Sequence, residues 1–410
     1  MKSLLKKKRT ITRMTTSKSL NQWLHTLETQ HNKKIDLGLE RIKQVYDALN
    51  LDKISANIIT VAGTNGKGST VAIVSSILQQ AGYKVGCFTS PHIIEFNERI
   101  QINNRSVSDD AIVHAFELIK KNLNGVSLSY FEYATLAAFI VFKSNQVDVS
   151  ILEVGLGGRL DSVNVVDTDC AIITTIDIDH TDWLGDDIES IAFEKAGIIR
   201  TNKPIIYGDD NCPKSIISQA KKLKAQLTVV DSSLMIDKIN LKGEYQNKNA
   251  RTALTALSSI PEINITQENI KNGLSNVQLN GRLQIINKKP EIIVDVSHNT
   301  QAVLSLANWL RNNPVKGKTI AVFAVLKDKH AANWLGEFKD VVDCWFISEL
   351  ESERSMLKND LLQVLAESYG LVLSFASVKQ AFAKAKIIAD NQDRIIVFGS
   401  FYTVSEVMRQ

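Results

Sequence analysis

Short apolar runs alternate with amphipathic stretches of helical length along most of the chain. The runs are rich in Val and Ile and do not alternate strictly with polar positions, which is typical of strands buried on both faces of a parallel sheet. This repeated alternation of strand and helix indicates an α/β fold. The first series of predicted strands comprises NIITVAG (57–63), KVGCFTS (84–90), DVSILEVG (148–155), CAIITTI (170–176) and PIIYG (204–208).

A second series of strands begins after the polar stretch SNVQLNGR (275–282), where we place a domain boundary near residue 280. The prediction is a P-loop-type, mostly parallel sheet with flanking helices in residues 1–280, and a smaller Rossmann-like α/β domain in residues 281–410. The strands of the second series are EIIVDVS (291–297), TIAVFAV (319–325), VDCWFIS (342–348), LVLSFAS (371–377) and DRIIVFGS (393–400). Helices are predicted over 19–30, 37–49, 69–81, 109–121, 131–144 and 188–196.

The composition and charge of the chain indicate where the protein is located and which partners to exclude. The chain has 410 residues, 44% of them hydrophobic, and a formal net charge of +4. No apolar run approaches the length of a membrane span, and the four cysteines form no C-x-x-C pair, so we expect a cytoplasmic protein with reduced thiols. The basic run KSLLKKKR (2–9) is interpreted as a solvated terminus, since no apolar face accompanies it, and neither nucleic acid nor a membrane is expected as a partner.

The segment AGTNGKGST (62–70) predicts a nucleotide-binding loop. It follows a strand and opens a helix, the context in which a glycine-rich turn binds phosphate. Gly63, Gly66 and Gly68 allow backbone N–H groups to approach a ligand, and Lys67 would neutralise phosphate charge. Ser69 and Thr70 place hydroxyls near a Mg²⁺ that bridges phosphates, although the loop departs from the common G-x-x-x-x-G-K-[ST] pattern.

Three further residues at the ends of predicted strands are candidate metal ligands. Glu153 interrupts an apolar strand, and a buried carboxylate requires a partner. Ser90 ends a neighbouring strand, although an ordinary Ser-Pro turn is the alternative reading. His180 lies in an aspartate-rich segment, but imidazole is an unusual ligand for Mg²⁺. Carboxyl ends of parallel strands border one crevice, where we expect these residues to meet.

Other polar residues occur at positions that face a ligand in such folds. Lys195, in FEKAG, is either a solvated helix-end lysine or an active-site lysine whose charge is masked. Asn249 begins an apolar helix and would cap it or bind a nucleotide base. Arg282 lies at the presumed hinge, and Asp295 and His298 lie where a strand of the second series ends and a helix starts.

Taken together, these motifs resemble the folylpolyglutamate synthase branch of the Mur ligase superfamily. The resemblance covers about residues 20–410, and IDLGLERI, SYFEYATL, DVSHN and VLKDKH are most similar to the bifunctional dihydrofolate synthase/folylpolyglutamate synthase form. The motifs that carry it, in order, are VAGTNGKGST, TSPHIIEFNERI, EVGLGGRLDSVN, IDHTDWLG, EKAGI, NGRLQ, DVSHN and GSFYTVSEV.

The resemblance implies an ATP-dependent amide ligase. ATP would phosphorylate a carboxylate, and the amine of L-glutamate would then attack the acyl phosphate. The carboxylate belongs to 7,8-dihydropteroate in one reaction and to the glutamate tail of tetrahydrofolate or its polyglutamates in the other. The implied cofactors are ATP and one or two Mg²⁺ ions, with K⁺ as a further candidate, and the expected state is a monomer. Domain closure over the cleft would exclude water from the acyl phosphate.

The resemblance also implies a role for each matching residue. Lys67, Lys195 and His180 would be catalytic, and Lys195 would carry an N6-carboxylate, a carbamate, that binds metal together with Ser90, Glu153 and His180. The implied ATP contacts are Thr64, Asn65, Gly66, Lys67, Gly68, Ser69, Asn249, Arg282, Asp295 and His298. The implied pterin and folate contacts are Asp36, Leu37, Gly38, Leu39, Ser129, Tyr130, Phe131, Glu132, Leu160, Asp161 and Ser162, with Phe131 on the ring and Asp161 at its polar edge.

Three positions depart from the family pattern: Asn280 where Pro is frequent, Ser297 where Ala is usual, and Thr300 where Pro is usual. We expect these changes to affect the hinge more than the chemistry. Three alternatives remain open from the sequence: a P-loop kinase, a nucleotide-gated binding protein without turnover, and a monofunctional folylpolyglutamate synthase. A kinase would not require Arg282 and Asp295 on a second α/β unit.

Overall fold

The computed structural model describes residues 18–31, 33, 35–366 and 370–409, so the basic run at 2–9 lies outside the described residues. Two separate sheets form the frame of the molecule, which confirms the predicted α/β class. The strands of the first sheet are β1 (Asn57–Ala62), β2 (Val85–Phe88), β3 (Ile100–Ile102), β4 (Arg105–Ser106), β5 (Val149–Glu153), β6 (Cys170–Ile173), β7 (Pro204–Tyr207) and β8 (Gln226–Val229).

The first sheet has the order β4-β3-β2-β5-β1-β6-β7-β8. Strands β2, β5, β1, β6, β7 and β8 are parallel, whereas β3 and β4 pair antiparallel at one edge. The sheet is therefore mostly parallel, as predicted. The sequence pattern missed β3 and β4, which have only three and two residues, and β8, which is largely exposed and has no apolar run.

Helices cover both faces of the first sheet. One face packs against α3 (Lys67–Gln80), α9 (Tyr245–Ser258) and α10 (Gln267–Asn276). The helices on the other face are α1 (Leu20–Gln30), α2 (Glu40–Ala48), α4 (Asp109–Lys121), α5 (Tyr130–Ser144), α7 (Ile188–Ala196) and α8 (Lys214–Lys222). The short α6 (Thr181–Leu184) precedes α7.

The predicted helix over 37–49 was wrong at its start, since α2 begins only at Glu40. Gly38 has a φ of +145°, which a right-handed helix does not contain, so residues before Glu40 form a separate loop. The Gly38 N–H donates to the carbonyl of Leu160 at 3.2 Å. Two of the segments expected to bind pterin are therefore neighbours in space.

The second sheet has the order β13-β12-β11-β14-β10-β9, and all neighbours are parallel except the antiparallel pair β9–β10. Its strands are β9 (Gln284–Lys288), β10 (Glu291–Val294), β11 (Thr319–Phe323), β12 (Cys344–Ile347), β13 (Leu371–Ser374) and β14 (Arg394–Phe398). One face packs against α11 (Thr300–Asn312) and α12 (Lys358–Ala366), the other against α13 (Val378–Ile388) and α14 (Phe401–Met408).

The segment between α10 and β9 joins the two sheets and contains the predicted boundary near residue 280. The exact domain limits stay a prediction. Gly281 has a φ of +67°, and a Cβ there would lie 2.8 Å from Ile93 Cδ1, so this crossing requires glycine. Within the described ranges, no helix combines the length and the apolar character needed to cross a lipid bilayer.

Candidate active site

The glycine-rich loop between β1 and α3 has a backbone that requires glycine at two positions. Gly63 and Gly66 have φ values of +147° and +86°. A Cβ on Gly66 would lie 2.4 Å from Asn249 Oδ1, and one on Gly63 would lie 1.9 Å from Thr174 Oγ1. Helix α3 begins directly after Gly66, so its free N–H groups and positive end face the loop. This is the arrangement of an anion-binding turn.

Lys67 lies at the first position of α3 with its ammonium turned into the loop. Its Nζ donates to the carbonyls of Gly63 at 2.9 Å and Thr64 at 3.2 Å. Burial lowers the pKa of Lys67, while the carboxylates of Glu153 and Asp179 raise it. The lysine is thus held where phosphate oxygens would meet the N-terminus of the helix.

Glu153 ends β5 next to this loop and is only 5% exposed. Burial raises its pKa, and the charge of Lys67 together with the Ser90 N–H, 3.2 Å from Oε2, opposes that effect. Among the described residues, none hydrogen-bonds the hydroxyl of Ser90, and the buried hydroxyl of Thr70 also has no partner. A carboxylate and unpartnered hydroxyls are a donor set that suits a hard cation such as Mg²⁺.

Asp179 and His180 follow β6 and face residues of the second sheet. His180 has a φ of +55° and precedes α6. Asp179 accepts hydrogen bonds from Lys329 Nζ at 2.7 Å and from Asn299 Nδ2 at 3.0 Å. His298 Nε2 lies 4.0 Å from the same carboxylate. Burial raises the pKa of Asp179, but the charge of Lys329, followed by those of the two histidines, holds it well below the ordinary range.

Lys195 lies near the end of α7 and is 4% exposed, so it is not a solvated helix-end lysine. Its Nζ donates to the Gly63 carbonyl at 3.1 Å, the same oxygen that Lys67 contacts. Burial, followed by the charge of Lys67, lowers the pKa of Lys195 to about 7. Burial thus favours the neutral amine form of Lys195 over the ammonium form.

Residues around the start of the second sheet complete the far wall. Asp295 is 2% exposed and accepts from the N–H groups of Leu283 at 2.7 Å and Ser297 at 2.8 Å. Burial raises the pKa of Asp295, and the Ser297 hydroxyl and the charge of Arg282 lower it. The Arg282 guanidinium lies over the Phe401 ring at 5.1 Å. A carboxylate and a guanidinium thus both line this wall.

Direct hydrogen bonds connect the phosphate loop with the second sheet. Asn65 Nδ2 donates to Asn299 Oδ1 at 3.1 Å and to Gln301 Oε1 at 2.7 Å. Thr175 Oγ1 also donates to Gln301 Oε1, at 3.2 Å. Because Asn299 and Gln301 lie at the start of α11, the two halves of the molecule meet at the loop itself.

All but one of the residues predicted to bind ATP or metal line a single cavity of about 740 Å³ between the two sheets. The exception, Lys195, borders a smaller adjoining pocket with Gly63, Lys67 and His180. The predicted residues that line the large cavity are Thr64, Asn65, Gly66, Lys67, Gly68, Ser69, Ser90, Glu153, His180, Asn249, Arg282, Asp295 and His298.

The residues predicted to bind pterin lie beside this cavity rather than in its wall. Phe131 packs against the cavity lining, because a Cβ on the cavity-lining Gly155 would lie 2.6 Å from its ring. Asp161 is 2% exposed and accepts from the N–H groups of Leu156 at 2.8 Å and Val163 at 3.0 Å, so its carboxylate also holds the local turn. Contact of these residues with a pterin stays a prediction.

Local structure also occupies the polar side chains of four other pterin candidates, Asp36, Ser129, Glu132 and Ser162. Ser129 and Glu132 form the capping box that starts α5. Glu132 and Asp36 both pair with Arg41, at 3.3 and 3.1 Å. Ser162 Oγ lies 2.6 Å from Thr135 Oγ1.

The sequence reasoning did not identify Gln301 and Lys329 as parts of this site. Gln301 contacts the phosphate loop, and Lys329 pairs with Asp179. Lys329 appears in the sequence within VLKDKH, two residues from another lysine, and no feature of the sequence separates the buried lysine from the exposed Lys327.

We expect Lys329→Met to lower the free energy of unfolding by about 3–5 kcal/mol, because Asp179 would keep a buried charge without its cation. The double variant Asp179→Asn/Lys329→Met should recover part of that loss, and Lys327→Met serves as the exposed control. Since the pKa of Asp179 is lowered in the fold, its stabilising contribution is complete above pH 3.8 and is lost as the pH falls further. Denaturant titration measures each variant, and a Lys329→Met protein as stable as the control would contradict the prediction.

Comparison with known proteins identifies the family. Residues 61–288 match the Mur ligase middle domain, and residues 281–401 match the Mur ligase glutamate ligase domain. The chain is 41% identical over 406 residues to the Escherichia coli (strain K12) dihydrofolate synthase/folylpolyglutamate synthase, covering 95% of this chain and 94% of that protein.

Solved structures agree with this assignment. E. coli FolC in complex with DHPP and ADP superimposes with a TM-score of 0.90 at 40% identity, covering 96% of this chain and 97% of that one. A bifunctional folylpolyglutamate synthase/dihydrofolate synthase with Mn, AMPPNP and L-glutamate bound gives a TM-score of 0.88 at 39% identity, covering 96% and 98%. The chain therefore belongs to the Mur ligase family of ATP-dependent, amide-forming ligases and, within it, to the dihydrofolate synthase/folylpolyglutamate synthases.

Proposed function

We propose that this chain uses ATP to join L-glutamate to 7,8-dihydropteroate and to the γ-carboxylate of tetrahydrofolate and its polyglutamates. One observation carries the proposal: the phosphate loop, the buried Glu153 and the residues of the second sheet converge on one cavity. Each relative named above is a dihydrofolate synthase/folylpolyglutamate synthase or FolC, and the two solved structures contain a nucleotide together with DHPP or L-glutamate.

The proposed chemistry has two steps. The γ-phosphoryl group passes from ATP to a carboxylate oxygen, and ADP leaves. The amine of L-glutamate then attacks the acyl carbon, loses a proton, and expels phosphate as the amide forms. Lys67 and the N-terminus of α3 bind the phosphate charge. The closed contact between the loop and α11 limits the access of water to the acyl phosphate.

Ser90, Glu153 and His180 are the proposed ligands of a Mg²⁺ ion, which would neutralise phosphate charge when bound. Within the described residues, no group of three or more His, Cys, Asp or Glu side chains is arranged to hold a metal ion. Phosphate oxygens and a modified Lys195 would therefore have to complete the coordination. The Mn ion bound in a relative is consistent with a divalent ion here. A second Mg²⁺ and a K⁺ belong to the same proposal.

Lys195 is the proposed site of N6-carboxylation. Its Nζ is buried, lies 3.1 Å from the Gly63 carbonyl, and has a pKa lowered to about 7 by burial. Only the neutral amine of a lysine adds to CO₂, so this environment favours the reaction. The product is an anion, which would replace the repulsion between Lys195 and Lys67 by attraction.

The remaining residues are proposed to contact either ATP or the pterin of the substrate that receives glutamate. Asn249, Arg282, Asp295 and His298 are proposed to contact ATP from the far wall, with Gly68 and Ser69 near its phosphates. The segments 36–39, 129–132 and 160–162 are proposed to bind pterin. We also propose domains at 1–280 and 281–410, a monomeric state, a cytoplasmic location, and no nucleic-acid or membrane partner.

Phosphate release tests the proposed function. Purified protein with ATP, Mg²⁺ and L-glutamate should release phosphate when dihydropteroate is supplied, and separately when a reduced folate is supplied. Activity with folate alone would support a monofunctional folylpolyglutamate synthase. Phosphate transfer without glutamate incorporation would indicate a kinase, and no turnover with either acceptor would reject the ligase assignment.

Phe131→Ala should raise the KM for dihydropteroate by about 10-fold or more, because an aromatic face beside Gly155 would be lost. The KM for ATP should not change, since Phe131 does not line the nucleotide cavity. Phe375→Ala, which removes a ring packed on Phe346 in the second sheet, is the matched control. Steady-state kinetics measure the KM values for dihydropteroate and ATP. An unchanged KM for dihydropteroate would remove Phe131 from the proposed pterin site.

A further inference from the structure

Arg99 is a buried cation that lines the cavity, and no carboxylate of the described residues forms an ion pair with it. It is 9% exposed and lies at the end of a short 3₁₀ helix, Phe96–Arg99, directly before β3. Its Nε donates to His92 Nδ1 at 2.8 Å, and its guanidinium lies over the rings of Phe96 and Tyr130 at 5.8 and 5.7 Å. Within the described part of the chain, its two terminal nitrogens have neither an ion pair nor a hydrogen bond.

The acid next to Arg99 in the sequence is engaged elsewhere. Glu98 accepts hydrogen bonds from the backbone N–H groups of Ile93, Ile94 and Glu95 at 2.7–2.8 Å. Since His92 Nδ1 accepts a hydrogen bond from Arg99 Nε, this ring nitrogen carries no proton, and the imidazole adds no negative charge to balance Arg99. The carboxylates of Glu153 and Glu98 interact with the charge of Arg99 without a direct contact, so among the described residues its two terminal nitrogens stay available to a ligand.

Arg99 lies between the two parts of the proposed substrate site. Tyr130, which contacts its guanidinium, belongs to the predicted pterin segment. On the other side, Ser90 and Glu153 of the proposed metal site line the same cavity. Tyr402 and Arg409 of the second half also line it, and Arg409 donates to the Ile94 carbonyl at 2.8 Å. A substrate extending from the pterin segment to the phosphate loop would pass Arg99.

We propose that Arg99 is a specificity residue. It binds a substrate carboxylate that takes no part in the reaction. The inference rests on the proposed function. The planar fork of two guanidinium nitrogens matches a carboxylate, and pairing there would compensate the buried charge. Two substrates carry such a carboxylate: the incoming L-glutamate, and the terminal glutamate of a folate tail through its α-carboxylate. Dihydropteroate carries none, because its single carboxylate reacts.

The test uses Arg99→Gln and Arg99→Lys, with Arg105→Gln, an exposed arginine on the neighbouring β4, as the matched control. Arg99→Gln should raise one substrate KM by about 10- to 100-fold, and Arg99→Lys by less. A higher KM for L-glutamate in both reactions identifies the incoming amino acid. A higher KM for tetrahydrofolate, with that for dihydropteroate unchanged, identifies the tail.

Amide analogues separate recognition from a structural effect. The wild-type enzyme should prefer L-glutamate, or a folate with a free α-carboxylate, over the corresponding amide, and Arg99→Gln should lose that preference. His92→Ala removes the hydrogen-bond acceptor of Arg99 Nε, and this variant should keep the preference for the free carboxylate. A preference kept by Arg99→Gln, a higher KM for ATP, or a fall in kcat alone would overturn the inference. Absence of wild-type turnover would instead reject the proposed function.

Discussion

Lys67→Ala is expected to lower kcat by about 10²- to 10³-fold in both synthase reactions, or further, while the protein remains folded. Lys67 is the cation at the N-terminus of α3, and the charge that develops on the phosphates would lose its nearest counter-charge. Among the residues that the structure describes, its hydrogen bonds join the carbonyls of Gly63 and Thr64 alone, both in its own loop.

The matched control is Lys271→Ala, which removes an exposed lysine from α10 outside the cavity. Circular dichroism and thermal unfolding check the fold, and phosphate release measures both reactions. A Lys67→Ala enzyme that retained more than about one tenth of the control rate would remove this lysine from the phosphate site.

Lys195→Ala is expected to be the second severe variant, with both activities reduced by several orders of magnitude and partly restored by acetate or formate. A small carboxylate would enter the space left by the side chain and replace the carbamate oxygens. Lys203→Ala, at a half-exposed lysine paired with Asp169, is the control and should show neither loss nor rescue. Wild-type rates for Lys195→Ala without added carboxylate would refute the carbamate.

The pKa of about 7 gives the same proposal a pH dependence. Below pH 7 the ammonium form of Lys195 predominates, and this form cannot add CO₂. Above pH 7 the neutral amine predominates, and this form can add CO₂. Incorporation of ¹³C-bicarbonate into the protein should therefore rise with pH through this range, and Lys195→Ala should show no such signal. A labelled carbamate that is equally populated at pH 6 and pH 8 would contradict the pKa argument.

The sequence predicted the central strands and the phosphate loop because their signals are local. Five buried residues in a row mark β5, and the loop combines glycines with Lys67 at the start of a helix. The cavity residues Asp295 and His298 were found for a similar reason, since each follows a strand of the second series. Peripheral strands such as β8 escaped prediction because an exposed edge needs no apolar run.

The contacts between the two halves could not be predicted in this way. Asp179 and Lys329 are 150 residues apart, and only the packing of α11 and the loop after β11 against the first sheet brings them together. The importance of Arg99 is equally hidden: FNERI contains an adjacent Glu and Arg that suggest an ordinary ion pair. The structure shows that Glu98 binds the backbone instead.

The hydrogen bonds of Lys67 have a consequence for which anions the loop admits. Its ammonium already contacts two carbonyl oxygens, and the Gly63 oxygen also accepts from Lys195. An arriving anion must therefore compete with existing acceptors and offer at least equal compensation. Chloride has no oxygen atoms and a single phosphate has only those of one group, whereas a chain of phosphates provides oxygens from several groups at once. We therefore expect the ligand-free loop to favour anions with several phosphate groups over smaller anions, before any contact with the base or the sugar is made.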